Sequence, residues 1–141
     1  NLRRLIKLIQ SKIPLPFSLI KNQRSFIGID NLVDLIIRCI DDNRAPGNTF
    51  LVSDEKDLST LDLLRQIASS KGFSVRLFPL PLSLLKFFGF ILGKKTEIDR
   101  LIGSLQIDIS HTKETLNWTP PISVEEGFRR MAQAKKENKR M

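Results

Sequence analysis

Arg24 is the residue in this chain best placed for recognition chemistry. It ends a polar turn, KNQR at 21–24, and opens an apolar stretch, SFIGI at 25–29. An arginine at such a junction presents a fixed fork of N–H donors that matches a phosphate or a carboxylate. On spacing alone, an ordinary surface or strand-edge arginine is the favoured reading. Other reactive types are sparse: one cysteine, Cys39, one histidine, His111, and no tyrosine. One Cys and one His cannot build a structural zinc site, and no Ser–His–Asp spacing can be argued. Carboxylates gather at Asp41/Asp42 and at Asp54, Glu55 and Asp57. These positions read as loops and helix starts, where turns and caps use them. His111 follows a helix cap and reads as a surface residue. Cys39 falls on the apolar face of a helix, where free cysteine packs as a small hydrophobe.

The elements that must position Arg24 follow from periodicity and punctuation. Leu2, Leu5, Ile6, Ile9 and Ile13 recur at helical spacing until Pro14 and Pro16 stop the helix. After the turn, 25–29 reads as a strand, and Asp30 as the N-cap of a helix that buries Leu32, Val33, Leu35, Ile36, Cys39 and Ile40. Residues 41–48 form a loop and 49–53 a buried strand. Ser59 and Asp62 resemble a capping box, opening a helix that stops at Gly72. A short strand at 74–77 precedes an apolar helix over 80–93, expected in the core, and a further helix over 94–102. Residues 105–109 alternate apolar and polar, Ser110 caps a short helix, and Ser123 with Glu126 forms a capping box for the last one. Strands alternate with helices, so the fold class is α/β, with few and short strands in a small satellite sheet.

Length bounds this to about one domain: a unit over 1–128, followed by a basic, partly frayed helix end over 129–141. The chain opens at Asn1 without a methionine, and is expected to be a piece of a longer protein. The net charge is +8, placed at the ends: residues 1–24 hold six Lys/Arg and no acid, and 129–141 hold six against one. The middle is mildly acidic. That map argues against a nucleic-acid binder, which more often carries a basic stripe with aromatics on its folded face. The apolar run at 80–93 is broken by Pro81, Ser83 and Lys86 and falls short of the roughly 20 residues a span needs. No membrane span is expected, and a single cysteine fits the cytoplasm. A small basic nucleic-acid-binding domain, or a protein-interaction domain using the 80–93 helix at a membrane surface, are the alternative readings.

Two blocks, RSFIGIDNLVD at 24–34 and DISHTKETLNWTPP at 108–121, resemble the C-terminal half of extended short-chain dehydrogenases/reductases of the NAD-dependent epimerase/dehydratase family, which act on nucleotide sugars. The first is similar to V-R-D-Y-I-H-V-x-D-L-A and the second to D-x-S-K-A-x-x-x-L-x-W-x-P. The resemblance implies that Arg24 contacts the diphosphate of a UDP-sugar. Asn1 and Leu2 are similar to an Asn-Leu pair that opens a helix at the substrate phosphates. Leu15 and Phe17 are similar to a segment lying along the uracil. A second arginine on the diphosphate is implied at Arg100, with Lys95 as the weaker candidate, although 96–104 departs from the family's R-x-G-D-like segment. Trp118 is implied to pack the last two helices together.

The family's G-x-x-G-x-x-G turn, its Tyr-x-x-x-Lys pair and the assisting Ser/Thr have no counterpart here. The resemblance therefore implies the substrate-binding half of a Rossmann-type epimerase, an isomerase. NAD would be held by the missing N-terminal domain and none by this fragment. The expected partners are a UDP-sugar and that missing Rossmann domain, with apolar surface left for self-association. The fragment alone would be catalytically inactive. Dehydratase and reductase remain alternatives within the family. The nearest flavour is that of bacterial enzymes of surface-polysaccharide synthesis acting on UDP-N-acetylated or 6-deoxy sugars.

Overall fold

Helices form where the sequence punctuates them. A computed structural model describes residues 6–137 apart from Leu8 and Lys71. Residues 6, 7, 9 and 10 are helical. Among the described residues six bounded helices follow: α1 (Ile29–Asp41), α2 (Thr60–Ser70), α3 (Leu82–Ile91), α4 (Lys95–Ile102), α5 (Ser110–Leu116) and α6 (Val124–Glu137). The chain divides into two compact units. Unit 1 is Asn1–Arg24 with Leu58–Ser104, and unit 2 is Ser25–Asp57 with Leu105–Met141.

In unit 1, α2 buries Leu63, Leu64, Ile67 and Ala68, one stripe at i, i+1, i+4 and i+5. Ile9, Leu15, Phe17, Ile20, Leu58 and Leu85 are also buried in this unit. Each fully buried Leu or Ile contributes about 1.5–3 kcal/mol relative to exposure. The Ser59–Asp62 box forms as expected: the Asp62 N–H donates to Ser59 Oγ (3.0 Å) and the Ser59 N–H to Asp62 Oδ2 (3.2 Å). The chain leaves α3 through Gly93, at φ +66°. The Lys94 N–H donates to the Gly89 carbonyl (2.7 Å) and the Gly93 N–H to that of Phe90 (3.1 Å). This paired pattern needs a residue at ease in the left-handed region. Gly89 itself lets α4 approach closely, since a Cβ there would lie 2.6 Å from Ile98 Cγ1.

Unit 2 is built around Trp118. The indole is buried with Leu35, Ala45, Ile109 and Leu116, with Cys39, Phe50, Val52 and Ile107 packed against them. Its Nε1–H donates to Asp34 Oδ2 at 2.7 Å. The resemblance implied that Trp118 packs the last two helices; the cluster around it holds Leu116 of α5 and adds Leu35 of α1. Ser123 starts α6 as expected, accepting from the Glu126 N–H (3.3 Å). The Glu126 carboxylate, however, pairs with Arg129 and Arg130 rather than closing the box. Helix α6 is continuous through residues 128 and 129.

The expected strands do not form. Among the described residues only two isolated bridges occur, Leu15 with Leu77 (parallel) and Arg24 with Leu58 (antiparallel). The cause is competition from side chains, which take the backbone groups a ladder would use. The Gly28 N–H donates to the Asp54 carboxylate (2.9 Å), the Ile107 N–H to Ser25 Oγ (2.9 Å), and the Leu51 carbonyl accepts from the Thr112 hydroxyl (2.6 Å). The chain is therefore helical with extended connections rather than a satellite sheet.

Three further expectations are corrected. Asp30 lies inside the first turn of α1, whose N-cap is Gly28, and pairs with Arg130 (2.9 Å). The capping carboxylate is Asp54, 26 residues away. Second, α1 buries Leu35 and half-buries Leu32 and Cys39, whereas Ile29, Val33, Ile36, Ile37 and Ile40 are exposed, Ile40 at 77%. Third, α3 buries only Leu85 and Gly89. It is a surface helix, not the core helix its composition pointed to.

Candidate functional site

Of the residues selected from the sequence, Arg24 and Arg100 meet in unit 1, where the 21–24 turn faces the C-terminal end of α4. A helix end leaves its last carbonyls without partners inside the helix, and here side chains supply them. Asn22 is 3% exposed. Its Nδ2 donates to the carbonyls of Leu101 (3.3 Å) and Gly103 (2.9 Å), and its Oδ1 accepts from the Thr60 N–H (2.9 Å) at the start of α2. The Thr60 hydroxyl adds a bond to the Leu101 carbonyl (2.7 Å). One buried amide thus joins the end of one helix to the beginning of another. The Gln23 N–H donates to Ser104 Oγ (3.1 Å) just beyond the same helix end.

Arg24 completes this cap. Its backbone is fixed by the reciprocal bridge to Leu58, with N–H···O distances of 3.0 and 2.9 Å. Its Nη1 donates to the Arg100 carbonyl. A cation at a helix C-terminus is favoured by the aligned peptide dipoles. Arg24 is half-buried and Arg100 exposed. Neither belongs to an ion pair among the described residues. The Arg24 fork keeps donors beyond the one used on the carbonyl, at a helix end to which Arg100 contributes that backbone carbonyl. That arrangement can receive an anion with several oxygens.

The remaining candidates divide. Lys95 is exposed at the opposite end of α4, about 8 Å along the axis from Arg100. Leu15 and Phe17 are buried, at 4% and 7% exposure. Both backbone groups of Leu15 are engaged, its N–H with the Arg76 carbonyl (2.9 Å) and its carbonyl with the Phe78 N–H (3.0 Å). Asn1 and Leu2 lie outside the described residues. Asn22 and Thr60, which hold the site together, were not singled out from the sequence; a polar turn gives no sign that one of its amides is buried.

The acidic clusters are structural. Asp54 accepts from Gly28 and Asn31, Glu55 pairs with Lys113, and Asp57 accepts from Ser25 Oγ (2.6 Å) and Gln106 Nε2 (2.7 Å). Asn31, 2% exposed, exchanges two bonds with the backbone of Ile122 (2.8 and 2.9 Å). Among the described residues no group of His, Cys, Asp and Glu could hold a metal ion. His111 is exposed and stacks on Phe50, with ring centroids 5.7 Å apart. The bonds from Arg44 hold the Asp42 carboxyl well below the usual carboxylate range. Ser110 lowers Asp108, Lys56 lowers Glu125, and Arg129 with Arg130 lowers Glu126.

Comparison with known proteins bears out the resemblance read from the sequence. The chain is 47% identical over 135 residues to a UDP-glucose 4-epimerase of Vibrio cholerae, a match covering 95% of this chain and 41% of that protein. In fold it is similar to the crystal structure of a UDP-glucose 4-epimerase from Thermotoga maritima with UDP-glucose. That match has a TM-score of 0.61 at 15% identity, over 97% of this chain and 39% of the other. The chain thus spans about two fifths of each. No family model matches it.

Proposed function

We propose that this chain, a relative of UDP-glucose 4-epimerase, is the substrate-binding part of an NAD-dependent epimerase and anchors the nucleotide end of a UDP-sugar. The observation that carries the proposal is the 47% identity to the Vibrio cholerae enzyme over nearly the whole chain. The pairing of Arg24 and Arg100 at one helix end supports it. A diphosphate carries about two negative charges; the free donors of the Arg24 guanidinium suit its oxygens, with Arg100 as the second arginine that the resemblance implies. Leu15 and Phe17 would set the course of the 15–17 segment, and its open face would meet the uracil.

Holding a remote, unreactive group still while the sugar reacts is a productive use of binding energy. Proton and hydride chemistry would belong to the rest of the enzyme: with no tyrosine and no G-x-G in the sequence, this chain offers neither the family's acid/base nor its dinucleotide turn. The residues present do not fit NAD, and no step is assigned to them. The exposed stripe of Ile29, Val33, Ile36 and Ile40 on α1 would be covered by that remaining part. In a cytoplasmic fragment lacking it, the stripe would be free for self-association.

The test is an amide-resolved NMR titration of the chain with UDP, with uridine and single-stranded DNA as controls. Saturable shifts at Arg24, 15–17 and 100–104 with UDP, weaker with uridine and absent with DNA, are expected. Shifts with DNA alone would replace this reading with nucleic-acid binding.

A further inference from the structure

Unit 1 combines two surface properties that the epimerase reading does not use. The first is apolar: on α3, Leu82, Leu84, Phe87, Phe88, Phe90 and Ile91 are all exposed, Phe90 at 70% and Ile91 at 61%. At about 100° per residue, Phe87, Phe90 and Ile91 point away from the side on which Leu85 and Gly89 are buried. The second is charge. The sequence of unit 1 holds thirteen Lys/Arg and three Asp/Glu, against ten and twelve in unit 2. No acid occurs between Asp62 and Glu97. Lys86 on α3 and Lys94 and Lys95 just beyond it are exposed.

We propose that α3 and its flanking lysines form a membrane-docking surface that seats unit 1 on an anionic bilayer. An exposed helix with large apolar side chains and basic neighbours lies in the interface, its apolar face about 5–10 Å into the headgroup boundary. Lysine stems reach along the apolar surface while their ammonium groups stay at the phosphates. The helix does not cross: among the described residues no helix is long and apolar enough to span. Charge selects this occupant over a second copy of the chain, because two copies would bring like-charged surfaces together with no acid within 63–96 to pair with the lysines. The proposal is independent of nucleotide binding.

Cosedimentation of the 141-residue chain with vesicles tests it. Binding to vesicles containing phosphatidylglycerol, at least about tenfold tighter than to pure phosphatidylcholine and weakened by salt, is expected. Phe87→Ser with Phe90→Ser should weaken it about tenfold. Lys86→Gln should weaken it about fivefold, the factor for one lysine near an anionic surface. All three positions are exposed, so the thermal transition should not move, which separates lost docking from lost folding. Equal binding to both vesicle types, no binding to either, or insensitivity to the phenylalanine changes would each overturn the proposal. So would dimerisation in solution abolished by Phe87→Ser, which would show that a second copy covers α3.

Discussion

Every ion pair between described residues lies in unit 2: Arg38 and Arg44 with Asp42, Lys56 with Glu125, Lys113 with Glu55, and Arg130 with both Asp30 and Glu126, beside Arg129 with Glu126. Unit 1 carries the larger share of cations and uses buried neutral groups instead, with Asn22 and Thr60 closing the ends of α2 and α4. The difference separates two uses of charge. In unit 2, acids and bases are nearly balanced and spend their charge on one another. In unit 1 Asn22 and Thr60 join the end of α4 to the start of α2, and Lys/Arg outnumber Asp/Glu thirteen to three, which leaves arginines and lysines available to anions from outside. Exposed ion pairs contribute little each, so the contrast concerns availability for binding more than stability.

The largest effect that would sharpen this comparison is expected from Trp118→Ala. It should destabilise unit 2 by about 4 kcal/mol through the cavity left in its core, seen as early loss of unit 2 amide signals on heating while those of unit 1 persist. Asn22→Ala is the counterpart in unit 1. It removes three hydrogen bonds, taking the Asn22 partner from the Thr60 N–H and the Gly103 carbonyl while Leu101 keeps only the Thr60 hydroxyl, and should cost about 3 kcal/mol. Loss of the unit 2 signals first in that variant would show that the two units do not melt separately.

Acid should produce a smaller and one-sided change. The depressed carboxylates Asp42, Asp108, Glu125 and Glu126 all lie in unit 2. A group with a lowered folded-state pKa stabilises fully above its ordinary range, and that contribution disappears as pH falls through the depressed range. Unit 2 should therefore loosen first below about pH 4, visible as a broadening of the Trp118 indole signal before the Asn22 side-chain amide changes. The smallest effect belongs to Lys56→Ala, which should shift stability by less than about 0.5 kcal/mol. A larger loss by calorimetry would mean that the ion pairs, rather than the Trp118 core, hold unit 2 together.

Much of the fold could be read from the residues because helices are local. Ser59 with Asp62, Pro81, Gly93 and Ser123 punctuate the chain within one turn of where helices begin or end. The strands could not be read, because a ladder depends on partners far away in sequence. Here Asp54, Ser25 and Thr112 occupied the groups that alternation alone would assign to neighbouring strands. Burial failed for the same reason at α1 and α3: periodicity finds an apolar face but does not show what covers it. At the site, Arg24 stood out by its position between a turn and an apolar run. The amide that secures its surroundings, Asn22, reads like any other turn residue until Leu101, Gly103 and Thr60 are seen around it.

Each unit is assembled from two separated stretches of chain, and this has a consequence for synthesis. A polypeptide leaving the ribosome delivers residues 25–57 well before Leu116 and Trp118, so α1 emerges without the residues that close its core. The first stretch of unit 1 likewise waits for α2. Unit 1 cannot mature before the first stretch of unit 2 has emerged, and each unit must form contacts of high sequence separation, which slows folding. Nascent chains stalled near residue 104 would leave Leu35 and Ala45 without Ile109, Leu116 and Trp118 to cover them, and should depend on holdase chaperones more than chains released in full.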